Sequence, residues 1–191
     1  MLVVYEKTPQ AALNLRLALE MARFSLKAVG ERPEILVCVL ELLREDRPLD
    51  DYLGEMEKTT GIALAQIDRL LVAAGDNLRS NVQVKVLRGM ELESAEMVAR
   101  EAQQWGAELI QLTVDRECAE CQRRNRQGGW FGRLFGRKTV APEGEAYPVK
   151  PLSLNRLMQL TGCRVNVTCH GEKLFTLYMH GAEVNSRKIG Y

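Results

Sequence analysis

The chain of 191 residues lacks the features that mark membrane proteins and strongly charged binding proteins. No apolar run approaches the roughly 18 residues that a bilayer span needs. The 26 basic residues nearly balance the 25 acidic ones, and a net charge of +1 gives no general argument for binding nucleic acid or membrane. The chain opens directly with MLVVYEK, without the flank and apolar region of a signal peptide. These absences predict a cytoplasmic protein without a transmembrane segment.

Catalytic and metal-binding signatures are also scarce. The two histidines, His170 and His180, lie close together near the end of the chain, and we find no nucleophile elbow, Walker loop or paired carboxylates. The five cysteines are expected to be free thiols in the cytoplasm. Cys118 and Cys121 form a C-x-x-C, which leaves a redox pair or a metal site open, although a zinc site needs four converging ligands. A non-catalytic role is favoured, with no assigned metal.

A strand–helix–strand pattern at residues 82–116 is the clearest structural signal. Val82, Val84 and Val86 form a β-branched run, and apolar residues then recur at helical spacing as far as Trp105. Gly106 is placed to end the helix in the left-handed conformation. The strand at 109–114 is too apolar to face water, so we expect a parallel crossover with a covering helix.

The preceding elements alternate in the same way. Strands are expected at 2–5 and 35–40, with helices at 9–29 and 51–74 and a loop at 41–51. Thr8 would cap the first helix, and Pro9 would be its first residue. A strict alternation of strands and helices predicts a doubly wound parallel α/β sheet.

The alternation breaks after the fourth strand. Residues 117–151 exceed the roughly 12–15 residues of an ordinary connection and form an inserted basic, Gly/Pro-rich loop. A short helix capped by Ser153, a strand at 164–169 and an antiparallel partner at 173–179 are predicted next. We therefore expect an α/β domain at 1–170 and a C-terminal strand and tail at 171–191, with the tail after Gly181 frayed.

Three segments of the chain resemble the universal stress protein family. They are LVVYEKT at residues 2–8, VLRGMELESAEMVAREAQQWGAELIQL at 86–112 and SLNRLMQLTGCRVNV at 153–167. The resemblance covers roughly residues 2 to 169 through the order of elements more than through identities. It implies a parallel strand order of 3-2-1-4-5, a regulatory role in the stress response, and a homodimer.

The resemblance also implies a nucleotide site, with ATP as a possible ligand, in the crevice between strands 1 and 4. In the family an acid follows strand 1 and a Gly-x-x-Gly, nine residues, Gly-Ser/Thr pattern follows strand 4. Here Glu6 replaces that aspartate, a Gly-x-x-Gly starts at Gly129, and Pro142-Glu143 stand where Gly-Ser is expected. The resemblance and the expected position of the crevice together give the candidate binding residues Glu6, Lys7, Thr8, Val39, Thr113, Gly129, Gly132, Arg133, Arg137 and Ser153.

The basic stretch at 123–138 supports a second hypothesis of a different kind. Arg123 to Lys138 contains no acid and interleaves Trp130, Phe131 and Phe135 with its positive charges. Stacking aromatics and phosphate-binding arginines would suit single-stranded nucleic acid or an anionic membrane surface. A contact with a protein partner, docking on the domain, and a merely solvated loop are the alternatives.

Overall fold

The computed structural model describes most of the chain, namely residues 1–6, 9–30, 33–43, 49–114, 154–169, 173–180 and 183–188. The strands are β1 (Leu2–Tyr5), β2 (Ile35–Leu43), β3 (Val82–Met90), β4 (Leu109–Val114), β5 (Arg164–Cys169), β6 (Lys173–His180) and β7 (Glu183–Lys188). The helices are α1 (Pro9–Val29), α2 (Leu49–Ala74), α3 (Asp76–Arg79), α4 (Ser94–Trp105) and α5 (Leu154–Thr161), and a 3-10 turn spans Glu91–Glu93.

All seven strands form one sheet in the order β3-β2-β1-β4-β5-β6-β7. The first five are parallel to one another, and β6 and β7 are antiparallel additions. The predicted order 3-2-1-4-5 and the antiparallel hairpin are therefore confirmed. The chain has a doubly wound α/β fold, with the strand order that the resemblance to universal stress proteins implied.

Each face of the sheet has its own hydrophobic core. Alternate residues of β1 point to opposite faces, so Val3 and Tyr5 join a cluster with α1 and α2, whereas Leu2 and Val4 join a cluster with α4 and α5. Strands covered on both faces must be apolar throughout, which explains the continuous apolar runs of β1 and β2.

The predicted end of α4 is confirmed at Gly106. This residue has φ +67° in the left-handed region, and the N–H of Ala107 donates to the carbonyl of Ala102 at 2.8 Å. The glycine thereby satisfies carbonyls that the helix end would leave unpaired, and it turns the chain directly into β4.

The loop predicted at 41–51 is wrong at both ends. β2 continues through Leu43, and α2 already begins at Leu49. The strand is extended because β3 pairs with it along its whole length, up to Leu43 opposite Met90. Glu41 also forms an ion pair with Arg88, its neighbour on β3. A charged residue that looked like a loop signal is thus part of the strand pairing.

The prediction of a frayed tail after Gly181 is also wrong. Residues 183–188 form β7, which pairs with β6 from His180 opposite Glu183 to Phe175 opposite Lys188. Polar sequence is compatible with an outer strand, and for that reason composition alone gave a misleading signal. β6 pairs along the edge of β5 that lies opposite β4.

Candidate functional site

The strand order reverses between β1 and β4, and this is the structural basis of the candidate site. β1 and β4 lie side by side, with Leu2 opposite Ile110 and Val3 opposite Gln111. The helices after β1 and before β4 leave the sheet on opposite faces. In open α/β sheets such a reversal creates a crevice beyond the carboxyl ends of the two strands, where ligands bind.

Three of the predicted site residues lie among the described residues. Glu6 directly follows β1 and is partly buried, and Thr113 lies one residue before the end of β4. Val39 of β2 lies opposite Tyr5 of β1, and it is fully buried in the core beneath α1 and α2. The structure thus places Glu6 and Thr113 at the carboxyl ends of adjacent strands, whereas the Val39 side chain packs in the core.

The remaining predicted residues lie outside the described part of the chain. They are Lys7, Thr8, Gly129, Gly132, Arg133, Arg137 and Ser153. The same holds for the basic stretch at 123–138 and for Cys118 and Cys121. Their proposed contacts with an anionic ligand, a partner or a metal stay predictions.

A buried polar cluster beneath α1 was not predicted. The side-chain amide of Gln111 donates to the backbone carbonyl of Asn14 at 2.9 Å and to Asn14 Oδ1 at 3.0 Å. The hydroxyl of Thr168 donates to the same Oδ1 at 3.2 Å. These residues join the N-terminal half of α1 to β4 and β5, and each is at most 1% exposed.

Three buried polar atoms around this cluster have no hydrogen-bond partner among the described residues. They are Asn14 Nδ2, Gln111 Oε1 and Thr113 Oγ1. Thr113 lies directly opposite Thr168 on the neighbouring strand, so one of two adjacent hydroxyls is bonded and the other is not. Buried polar groups are usually satisfied, so these atoms are expected to have partners beyond the described residues, either in the rest of the chain or in a ligand.

Further polar contacts lie near the carboxyl ends of β1 and β2. The Tyr5 hydroxyl donates to Gln66 Oε1 of α2 at 2.8 Å, and burial raises the pKa of Tyr5. Glu41 is 2% exposed at the end of β2 and is bound by the Arg88 guanidinium. Tyr5 is therefore neutral at physiological pH, and the Glu41 carboxylate has a fixed cationic partner.

The described residues offer hydrogen bonding rather than an activated nucleophile. Cys38 is fully buried, and burial raises the pKa of its thiol to about 12, so the reactive thiolate is absent near neutral pH. Within the described ranges, His, Cys, Asp and Glu residues form no group that could hold a metal ion. None of the described helices has the length and apolar character needed to cross a membrane.

A sequence signal for the polar cluster was present. Asn14 lies at helical spacing from Ala11 and Ala18, on the face of α1 that the apolar stripe buries. Gln111 is the one strongly polar residue within the apolar run of β4. A polar residue on a buried face normally has a partner there.

The likeness of this chain to known proteins is found at the level of structure. No protein-family model matches the chain, and no curated protein matches it. Among solved structures, the chain is similar to a universal stress protein in complex with cAMP, at 15% sequence identity and a TM-score of 0.41. The match covers 88% of this chain and 96% of that one. The fold assignment stands on the strand order and helix placement of this chain itself.

Proposed function

We propose that the chain is a nucleotide-binding regulatory module of the universal-stress-protein type, with its ligand in the crevice beyond β1 and β4. The observation that carries the proposal is the parallel pairing of these two strands where the order reverses. The Thr113 hydroxyl at the end of β4, which has no partner among the described residues, supports it. The proposal includes a cytoplasmic, non-catalytic role in the stress response.

The proposed ligand contacts divide by charge. The unpartnered polar atoms of Asn14, Gln111 and Thr113 are all neutral, and of these Thr113 lies nearest the crevice. Its hydroxyl would bind an uncharged ribose or base group. Glycines that permit close approach of the backbone, together with arginines, suit phosphates, which is the proposed role of Gly129, Gly132, Arg133 and Arg137. Glu6, Lys7, Thr8 and Ser153 would complete the site beside Val39.

Calorimetric titration with ATP and, separately, with cAMP tests the proposal. We expect saturable binding of at least one nucleotide with a dissociation constant between micromolar and millimolar. Ligand that binds only the folded state stabilises it by about 2.7 kcal/mol at a hundredfold excess over the dissociation constant. The melting temperature should therefore rise with the same ligand. The absence of saturable heat for both nucleotides at millimolar concentration would contradict the proposal.

Two valine substitutions on adjacent strands test the ligand contact of Thr113. Thr113→Val removes a hydroxyl without a described partner, so stability should be nearly unchanged while nucleotide affinity falls about tenfold, the effect of one lost hydrogen bond. Thr168→Val removes the bond to Asn14 and should destabilise by about 1 kcal/mol, with a smaller effect on affinity.

The two variants are compared by urea unfolding and by calorimetry. They change the same chemical group at directly opposed positions, which makes Thr168→Val the matched control. Equal affinity losses in both variants would show that Thr113 acts through the protein structure and does not contact the ligand.

A further inference from the structure

A second cavity lies at the end of the sheet opposite the proposed nucleotide crevice. α1 begins beyond the carboxyl end of β1 and runs back along the sheet, so its last turn lies near the amino ends of the strands. α2 returns after β2 in the same way, and Gly75 joins it to α3. The cavity lies between the last turns of these two helices and α3, and its volume is about 370 Å³. Small-molecule sites typically have volumes of about 300–1,000 Å³.

The lining of this cavity combines apolar and basic side chains. It consists of Arg23, Leu26, Lys27, Ala74, Asn77 and Leu78. Two of these residues are basic, and none is acidic. Leu78 is 6% exposed and belongs to the core beneath α1, so the apolar part of the lining is a fixed surface. Such a lining suits a small ligand that carries both an apolar part and a negative charge.

Arg23 is held in place before any ligand binds. Its Nη2 donates to the carbonyl of Ala74 at 3.1 Å, and its Nη1 binds Glu20 at 2.8 Å. The wall beside it is also fixed, because the N–H of Leu78 donates to the carbonyl of Gly75 at 3.1 Å. A guanidinium that is already ordered loses little conformational freedom on binding, and this favours affinity.

The charges around the cavity favour a single negative charge on the ligand. Helix ends repel anions through their free carbonyls, but here the Ala74 carbonyl is bound by Arg23 and the Leu26 carbonyl by the N–H of Gly30. Lys27 is exposed and has no ion pair among the described residues. Since Glu20 shares the charge of Arg23, Lys27 supplies the unshared positive charge. A carboxylate matches this charge better than a doubly charged phosphate group does.

We propose that this cavity binds a small organic carboxylate. The carboxylate group lies between Lys27 and the fixed guanidinium of Arg23. The apolar chain of the ligand packs against the leucine and alanine side chains of the lining. The site is separate from the nucleotide crevice, and it does not depend on nucleotide binding.

Amide-detected NMR spectroscopy of the full chain tests the proposal, with hexanoate as the probe. We expect saturable shifts of the backbone amide signals of Lys27, Asn77 and Leu78, with a dissociation constant of about 1 mM. The signal of Thr113, at the other end of the sheet, should not move, which separates this site from the nucleotide crevice. The proposal is overturned if these three signals show no saturable shift up to about 50 mM hexanoate.

Two further probes test the chemical class of the ligand. Hexanamide has the same chain without the charge, and it should bind about fivefold more weakly, the effect of one solvent-accessible charge contact. Acetate keeps the charge but lacks most of the chain. It should bind at least about tenfold more weakly, because each buried methylene group contributes about fourfold. If either probe binds as tightly as hexanoate, the assigned ligand class is wrong.

Lys27→Met removes the ammonium group and keeps a flexible apolar side chain. Hexanoate affinity should fall about fivefold, whereas hexanamide affinity should not change. Lys58→Met is the matched control, because it makes the same change at an exposed position of α2 about four helical turns before Ala74. Circular dichroism confirms that both variants are folded. Wild-type affinity for hexanoate in Lys27→Met, or an equal loss in Lys58→Met, would contradict the proposal.

Discussion

At Gly89, β3 passes close to the side chain of Met97 on α4. A Cβ at this position would overlap the Met97 sulfur. Gly61 is the contrasting residue, because α2 runs through it and a Cβ there would meet nothing within 4 Å. Close packing explains why position 89 is a glycine, whereas the packing around position 61 does not require one.

We expect alanine to have opposite effects at these two positions. Gly89→Ala should destabilise by about 1 kcal/mol because the Met97 side chain must leave its present position to make room for the methyl group. Gly61→Ala should stabilise the protein by about 0.4–1 kcal/mol, because alanine lowers the conformational entropy of the unfolded chain and fits the helix at this position. Urea unfolding measures both. A neutral Gly89→Ala would show that Met97 adopts another rotamer without loss.

At the scale of elements, α4 is fixed to its neighbours by two ion pairs of unequal burial. Lys85 of β3 binds both carboxylate oxygens of Glu101 at 2.7 Å, and the Glu101 side chain is 12% exposed. Glu96 binds Arg156 of α5 at 2.9 Å, and these two side chains are 38% and 53% exposed. The Arg156 hydrogen bond lowers the pKa of Glu96, so this pair is ionised at neutral pH.

A double-mutant cycle should give a larger coupling for the buried pair. With Lys85→Met and Glu101→Met we expect a coupling free energy of about 1–2 kcal/mol, because Lys85→Met alone leaves a buried carboxylate without its cation. The same cycle on Glu96 and Arg156 is the control, and it should give a smaller value that salt removes. Equal couplings would show that Glu101 is effectively solvated.

At the scale of the whole molecule, Cys38 makes folding sensitive to alkali. Burial, and after it the Glu101 carboxylate, raises the pKa of this thiol from 9.0 to about 12. Below pH 9 the thiol is protonated in both states, and its contribution to stability is complete. Between pH 9 and 12 only the unfolded chain ionises, so stability is lost as the pH rises.

Cys38→Val should remove this part of the pH dependence. The wild type should lose up to about 1.4 kcal/mol more per pH unit than the variant above pH 9, the effect of one ionising group. Below pH 8 the difference between the two proteins should be constant, which is the internal control. Unfolding by urea at several pH values measures it. Parallel curves above pH 9 would mean that the folded thiol ionises normally. Burial also raises the pKa of Tyr5, so a residual decline is expected in both proteins.

The sequence determines the strand order more clearly than the contents of the site. Apolar runs and glycine helix ends such as Gly106 located the five parallel strands along the chain, because these signals are local, and the resemblance to universal stress proteins implied their order. Local sequence marks Asn14 and Gln111 as buried polar residues but does not show that they are partners, because Asn14 is 97 residues from Gln111 and 154 from Thr168. β7 was missed because an outer strand can be polar.

The central position of β4 affects the order in which the sheet can form while the chain is being synthesised. β4 has three strands on each side, and its pairing with β1 becomes possible as soon as Val114 has left the ribosome. Its other edge must wait for Arg164 and the rest of β5, which at about 5–20 residues per second is a delay of several seconds. During that interval β5 is not yet available to pair with the second edge of β4. A chaperone that binds unfolded segments would bind at this apolar strand.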